Sequence, residues 1–200
     1  MIKNVIFDCG QVLIRYNETE IAAHYVDNPE EAEFLGRIAM ARKYWNRFDE
    51  GTLTEADYLE QVKTELPEHL HKAVEKLVWG WIKACPMIDG MEDIVRDVRK
   101  AGKKLYLLSN FNQRLRTEPY PILSEFDALV ISGEINKVKP DRAIYDYLLN
   151  TYALNPEECI FIDDNPANIA MAESLGITGY LFDGDAVKLR AYLEKEQIIS

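Results

Sequence analysis

The apolar residues of this chain fall into five short runs that are separated by segments of helical periodicity. The runs are bounded by polar or turn residues and predict strands at residues 4–8, 104–108, 128–132, 159–162 and 179–182. Helices are predicted over residues 89–100, before the second run, over 141–152, before the fourth, and over 166–175, before the fifth. Strands that alternate with helices favour a parallel sheet with right-handed crossovers. The pattern therefore predicts an α/β protein with a Rossmann-like parallel sheet.

The segment from residue 17 to residue 84 has a different pattern. It contains no run rich in β-branched residues, and its apolar positions recur at helical spacing. Residues 49–51 are typical of a turn, and Thr54 followed by acidic residues is typical of a helix N-cap. We therefore expect residues 1–16 and 85–200 to form the α/β core and residues 17–84 to form a helical insertion. Two tryptophans near its end, Trp79 and Trp81, are expected to pack in its interior.

Composition adds limits to this picture. Hydrophobic residues make up 48% of the chain and charged residues 28%, as in an ordinary globular protein. No apolar run approaches the length of a membrane span, and the first residues do not resemble a signal peptide, so we expect a cytoplasmic protein. The three cysteines, Cys9, Cys85 and Cys159, lie far apart without metal-ligand spacing. We expect Cys9 to be a packed residue rather than a nucleophile.

The net charge narrows the possible partners. At −11 the chain repels nucleic acids and anionic membranes, and it is compatible with an acidic pocket that holds a divalent cation. We expect neither nucleic acid nor membrane as a partner, and a protein that is a monomer or a weak homodimer.

Polar side chains follow several of the predicted strands. Asp8 ends the first strand, Ser109 and Asn110 end the second, and Asp163 and Asp164 end the fourth. Ligands of open parallel sheets bind beyond the carboxyl ends of the strands, so these groups are expected to converge. Each one alone could be a turn or capping residue. Together they would suit Mg²⁺ and a phosphate group, and a carboxylate can act as a covalent nucleophile.

A lysine in the loop after the third predicted strand belongs to the same group of candidates. Lys139 precedes Pro140 in a polar segment and could be a solvated loop residue. If it lies at the same sheet edge, its ammonium group would neutralise charge on a phosphoryl group.

Four segments resemble, in chain order, the four motifs of the haloacid dehalogenase-like (HAD) superfamily. They are VIFDCGQVLI (5–14), LYLLSN (105–110), GEINKVKPDRAIYDYLL (133–149) and CIFIDDNPANIAMAESLGI (159–177). The helical insertion is similar to the small helical (C1) cap of this superfamily. The resemblance implies a Mg²⁺-dependent phosphatase that forms an aspartyl-phosphate intermediate, with a small phosphorylated metabolite, such as a sugar phosphate, as its substrate.

The resemblance also implies a set of metal ligands. Asp8 would be both the nucleophile and a ligand of Mg²⁺, and the backbone carbonyl of Gly10 would be a second ligand. Asp164 aligns with the acid that binds the metal directly. Asp163 would be a supporting or water-mediated ligand.

Other positions would bind the substrate. By the same resemblance, Ser109 and the N–H of Asn110 would hold the transferring phosphoryl group, and Lys139 would neutralise Asp8 and the phosphate. Arg15 and Arg47 are further candidates for contact with the substrate, although Arg47 is more typical of a solvated helix face.

The chain departs from the superfamily pattern at Gly10, where most phosphatases of this type carry an aspartate that acts as general acid and base. Such assistance is worth ~10²–10⁴-fold in rate. The chain is similar to a glucose-1-phosphate phosphatase-like branch, both at residues 5–14 and in the segment RFDEGTLTEADYL (47–59). Gly10 therefore has three possible explanations. The chain belongs to a phosphatase branch of this kind, or a group from the cap or a water molecule replaces the missing acid, or the protein is a catalytically weak relative that binds phosphate ligands. A metal-independent 2-haloacid dehalogenase is the nearest alternative enzyme.

Overall fold

A parallel sheet forms the centre of the molecule. The computed structural model describes residues 1–117 and 120–200. Its strands are β1 (Asn4–Phe7), β2 (Lys104–Ser109), β3 (Ala128–Ile131), β4 (Cys159–Asp163) and β5 (Thr178–Leu181). Within the described part of the chain these five strands are all parallel and lie in the order β3-β2-β1-β4-β5. The predicted α/β class and parallel sheet are confirmed.

Helices connect and cover the strands. Between β1 and β2 lie α1 (Glu18–Ala22), α2 (Pro29–Ala39), α3 (Arg42–Asp49), α4 (Glu55–Lys63), α5 (His71–Gly80) and α6 (Met91–Lys100). After β2 come α7 (Arg114–Thr117), α8 (Ser132–Ile135), α9 (Arg142–Thr151), α10 (Pro166–Ser174) and α11 (Ala186–Lys195). None of the helices in the described ranges is long and apolar enough to cross a membrane.

The central position of β1 sets the geometry of the site. All four of its residues are buried, which suits a strand that is covered on both faces. Phe7 pairs with Leu107 of β2 on one side and with Ile162 of β4 on the other. The three strands therefore end at nearly the same level, and the residues that follow them meet at one edge of the sheet.

The two faces of the sheet contribute to different apolar clusters. Val5 and Phe7 belong to a large cluster that continues without a break into helices α2 to α5. Ile6 belongs to a second cluster with Phe161 and Ile144 of α9. Helices α2 to α5 are therefore stabilised by apolar contacts that reach the sheet.

Two linkers join helices α1 to α5 to the sheet, and they pair with each other. The N–H of Arg15 donates to the carbonyl of Pro86 at 2.8 Å, and the N–H of Ile88 donates to the carbonyl of Leu13 at 2.8 Å. Gln11 adopts a left-handed backbone (φ 56°), and its side-chain amide exchanges two hydrogen bonds with the backbone of Tyr16, of 3.0 and 3.1 Å. The division at residues 17 and 84 stays a prediction.

The structure differs from three expectations. Trp81 is buried as predicted, but Trp79 is 53% exposed, and its ring lies against the guanidinium group of Arg114, whose carbon is 5.5 Å from the ring centroid. The third strand ends at Ile131 because Ser132 begins α8. No element was predicted after residue 182, where α11 buries Leu189 and leaves Val187 in solvent.

Candidate active site

Asp8 follows β1 directly and is only 8% exposed. Its Oδ1 accepts a hydrogen bond of 2.6 Å from the N–H of Cys9 and lies 2.8 Å from Nζ of Lys139. Burial raises the pKa of Asp8 to about 6; the Lys139 ammonium opposes this shift, and the Asp163 carboxylate adds to it. Asp8 is thus a buried carboxyl group that requires cationic partners to carry a charge.

Lys139 is the cation that the described residues supply. Its Nζ lies 2.8 Å from Asp8 Oδ1 and 2.7 Å from Asp163 Oδ2. Burial alone would lower the pKa of Lys139, but the two carboxylates outweigh it and raise that pKa. The backbone around Lys139 is fixed by the amide of Asn110, which accepts from the Lys139 N–H at 2.7 Å and donates to its carbonyl at 2.9 Å. The ammonium group is therefore held in place next to Asp8.

Asp163, the last residue of β4, is completely buried. Its oxygens accept hydrogen bonds from the Asn168 amide at 3.0 Å each, from the N–H of Asn165 at 2.8 Å and from Lys139. An amide at position 168 gives Asp163 two donor contacts without adding another charge. Because these donors already occupy its oxygens, the main contact of Asp163 with the centre is its ion pair with Lys139.

Asp164 faces the opening beside this buried group. Desolvation raises its pKa, and the Asp163 carboxylate adds to the shift. Asp8, Asp163 and Asp164 each offer a carboxylate oxygen, and these oxygens all lie within 4.8 Å of one another. Mg²⁺ prefers oxygen ligands and binds through one or two carboxylates together with water and phosphate oxygens. The donor set fits Mg²⁺, with Asp8 and Asp164 as the residues that would hold it.

Ser109, at the end of β2, has a hydroxyl group without a hydrogen-bond partner in the described part of the molecule. The residue is 1% exposed. A buried hydroxyl that lacks a partner has a free-energy cost of about 1–3 kcal/mol, which a bound acceptor would remove. Its position beside Asp8, on the neighbouring strand of the sheet, suits an oxygen of a bound phosphoryl group.

Two residues that follow Asp8 differ in the space around their side-chain positions. Cys9 is fully buried, and its pKa is raised well above the ordinary value, mainly by burial and further by Asp8. It is therefore a packed thiol and not a thiolate. At Gly10 the opposite holds, because a Cβ added there would meet nothing within 4 Å.

A cleft of about 930 Å³ opens beside Asp164. Gln11, Arg15 and Tyr16 line it from the first linker, and Asp183 lines it from the segment after β5. Arg15 is exposed at this cleft and lies 3.1 Å from Glu20. The structure therefore brings Arg15 to the entrance of the site.

Arg47 is not brought to this group. It lies on the exposed side of α3, where its Nη1 is 3.5 Å from Oε1 of Gln61, and it lines a separate surface groove with Asp57. The position of Arg47 gives no support to the predicted contact with the substrate.

Asp49, at the end of α3, is a residue that the sequence placed only in a turn. Burial raises its pKa well above the ordinary value, and the Asp8 carboxylate adds to the shift while Lys139 opposes it. Helix α3 therefore ends in a half-buried carboxyl group whose pKa is raised. In the sequence, Asp49 is only a single acid that follows the apolar residues Tyr44 and Phe48. Such an acid can be either a turn residue or a site residue.

Comparison with known proteins agrees with this geometry. The pattern of the haloacid dehalogenase-like hydrolases matches residues 2–176. The chain is 27% identical over 184 residues to the sesquiterpene phosphatase astK of Aspergillus oryzae, with 88% of each protein covered. It is 24% identical over 191 residues to the D-ribitol-5-phosphate phosphatase of Bacteroides thetaiotaomicron, with 88% of this chain and 89% of that protein covered.

A solved structure of similar fold is a HAD family enzyme from Bacteroides thetaiotaomicron in complex with magnesium and inorganic phosphate. It superposes with a TM-score of 0.67 at 22% sequence identity, covering 90% of this chain and 93% of that one. The sheet order, the residues at the strand ends and the matched family pattern lead to one conclusion. This chain belongs to the haloacid dehalogenase-like hydrolases.

Proposed function

We propose that the protein is a Mg²⁺-dependent phosphatase of small phosphorylated metabolites that works through an aspartyl-phosphate on Asp8. The observation that carries this proposal is the contact of buried Asp8 with Lys139 beside the other two carboxylates. The unpartnered hydroxyl of Ser109 lies on the neighbouring strand and supports a bound phosphoryl group.

The residues divide the work of the first step. Asp8 attacks phosphorus with a carboxylate oxygen, the bond from phosphorus to the ester oxygen breaks, and its electron pair goes to the leaving oxygen. Lys139 and Ser109 donate to oxygens of the transferring group, where negative charge accumulates. When bound by Asp8 and Asp164, Mg²⁺ would supply further neutralisation of that charge.

The second step releases phosphate. Water attacks phosphorus of the aspartyl-phosphate, the bond to the Asp8 oxygen breaks, and the carboxylate is regenerated. Lys139 stays next to Asp8 in both steps because Asp163 and the backbone contacts of Asn110 hold it there. The Lys139 ammonium group thus stabilises the negative charge on the Asp8 carboxylate as that carboxylate leaves phosphorus.

We infer a polyol or sugar phosphate, or another small phosphate ester, as the substrate class. Two relatives support a phosphate ester, since one acts on D-ribitol-5-phosphate and the other is a sesquiterpene phosphatase. The open cleft with Arg15 at its entrance gives room for a polar leaving group.

A panel of phosphate monoesters tests the proposal. Wild-type protein and Asp8→Asn are assayed with Mg²⁺ for release of inorganic phosphate, and the surface variant Asp146→Asn is the control. We expect release by the wild type and the control and a loss of at least ~10³-fold in Asp8→Asn. Equal release by wild type and Asp8→Asn, or none by either, would overturn the proposal.

A further inference from the structure

The cleft beside Asp164 adjoins the buried centre. Asp164 lines this cleft, and one of its carboxylate oxygens lies within 4.8 Å of a carboxylate oxygen of Asp8. The rest of the lining comes from the two linkers and from residues 182–184 after β5. An ester whose phosphorus lies at Asp8 therefore has this space of about 930 Å³ next to it for its leaving group.

Two of the charged residues that line the cleft are paired within the chain. Nη2 of Arg15 lies 3.1 Å from Oε2 of Glu20, which belongs to α1. Oδ2 of Asp183 lies 2.6 Å from Nζ of Lys188, which belongs to α11. Each pair joins one cation to one anion, so neither pair gives the cleft a net charge.

The other two charged residues of the lining are carboxylates in different surroundings. Asp164 belongs to the group of acids that fits Mg²⁺. Asp89, in the second linker, is exposed at the cleft, and its side chain forms neither a hydrogen bond nor an ion pair with residues 1–117 or 120–200. Among the described residues of the lining, Asp89 is therefore the acid whose charge is not balanced.

The backbone on both sides of Asp89 is fixed. The N–H of Ile88 donates to the carbonyl of Leu13 at 2.8 Å, and the carbonyl of Ile88 accepts from the N–H of Met91 at 3.1 Å. Gly90 has a left-handed backbone (φ 85°) and is the N-cap of α6, a conformation that glycine adopts without steric cost. The linkers and the start of α6 therefore hold Asp89 at the wall of the cleft.

We propose that Asp89 makes the site select phosphate esters with a neutral or cationic leaving group over esters that carry a second anionic group. This inference rests on the proposed phosphatase function and narrows its substrate class. Hydroxyl and ammonium groups donate hydrogen bonds, which the Asp89 carboxylate accepts. A carboxylate or second phosphate is repelled by Asp89 and has to compete with Glu20 for Arg15.

Three esters with the same spacer and different terminal charge provide the test. They are 3-aminopropyl, 3-hydroxypropyl and 3-carboxypropyl phosphate, and kcat/KM is measured with Mg²⁺ for the wild type, Asp89→Asn and Asp89→Lys. Asp93→Asn is the matched control, because Asp93 is an exposed carboxylate of α6 outside the cleft lining. Each variant is compared with the wild type on the same ester, so that differences in leaving ability cancel.

We expect Asp89→Asn to lose ~3–10-fold on the ammonium ester, to gain ~3–10-fold on the carboxylate ester and to change less than ~2-fold on the hydroxyl ester. Asp89→Lys should shift the same two esters further in the same directions, and Asp93→Asn should change none of the three. At about 1 M salt, where the Debye length is ~3 Å, the shifts should become smaller.

Two results overturn the selection by Asp89. One is an equal change on all three esters, which would show a structural effect of the substitution, and the other is no change on any of them. Asp8→Asn in the same assay tests the underlying function separately. If it releases phosphate as fast as the wild type, or if the wild type releases none, the phosphatase function fails and the inference fails with it.

Discussion

The buried centre contains two carboxylates for one ammonium group when no metal is bound. Lys139 lies within 3 Å of both Asp8 and Asp163, which leaves one negative charge without a cation of its own. Asp8→Asn removes that charge, keeps the side-chain shape and leaves Asp163 to pair with Lys139. We therefore expect metal-free Asp8→Asn to be more stable than the metal-free wild type, although it loses the nucleophile.

The magnitude follows from the pKa of Asp8, which burial raises from 3.8 to about 6. At ~1.4 kcal/mol for each pKa unit, neutralising this group stabilises the folded protein by ~3 kcal/mol at neutral pH, or ~6–12 °C in Tm for a chain of this length. The folded protein keeps the Asp8 proton up to about pH 6, whereas the unfolded chain loses it near pH 3.8. The wild type therefore loses stability relative to the variant as the pH rises between these values, and the difference falls below ~1 kcal/mol near pH 4.

Thermal unfolding in EDTA at about pH 7.5 and about pH 4 measures this difference. The control is Asp146→Asn, an exposed carboxylate paired with Arg142, which should change stability by less than ~0.5 kcal/mol. If Asp8→Asn is less stable than the wild type at neutral pH, the reasoning is wrong. It is also wrong if the difference is the same at both pH values.

Three further predictions concern the same centre. Lys139→Met leaves Asp8 and Asp163 without their cation, so denaturant melts in EDTA should show a loss of ~3–5 kcal/mol, and an unchanged melt would contradict the ion-pair account. EDTA should abolish phosphate release and added Mg²⁺ should restore it; hydrolysis that survives chelation would favour metal-independent chemistry. Because a Cβ at Gly10 would meet nothing within 4 Å, Gly10→Asp should raise turnover of an alkyl phosphate by at least ~10-fold, and a variant no faster than the wild type would argue against a missing proton donor.

The sequence was sufficient for the sheet and for most of the residues at its edge. Apolar runs of strand length ending in Asp8, Ser109 and Asp163 are local signals, and parallel topology brings such ends together whatever the cap does. The contact of Lys139 with Asp8 could be expected on the same grounds, since its loop follows a strand of the same sheet.

Helices α1 to α5 were less accessible to prediction because their side chains are placed by contacts between helices. Arg47 and Asp49 lie two residues apart on α3, yet Arg47 is exposed at a surface groove and Asp49 is half-buried. A helical pattern gives the spacing of residues but not which face another element covers. Trp79 illustrates the same limit, because an aromatic residue beside a buried tryptophan can still remain in solvent.

The amide of Asn110 had a second role that the motif alone did not indicate. The sequence suggested its N–H as a phosphate donor, whereas its side chain fixes the backbone of Lys139 through two hydrogen bonds. Contacts between segments 29 residues apart depend on the folded arrangement of the loops, so a single sequence does not reveal them.

The covalent intermediate is the central claim, and trapping it is the most direct test. Wild-type protein is mixed with Mg²⁺ and a phosphate ester that it hydrolyses, and the reaction is quenched with acid during the steady state. The protein is then digested, and the peptides are analysed by mass spectrometry. We predict one phosphoryl group on the peptide spanning residues 5–14, located on Asp8, absent before substrate is added and absent from Asp8→Asn. Turnover without this modification, or with the phosphoryl group on another residue, would contradict the account.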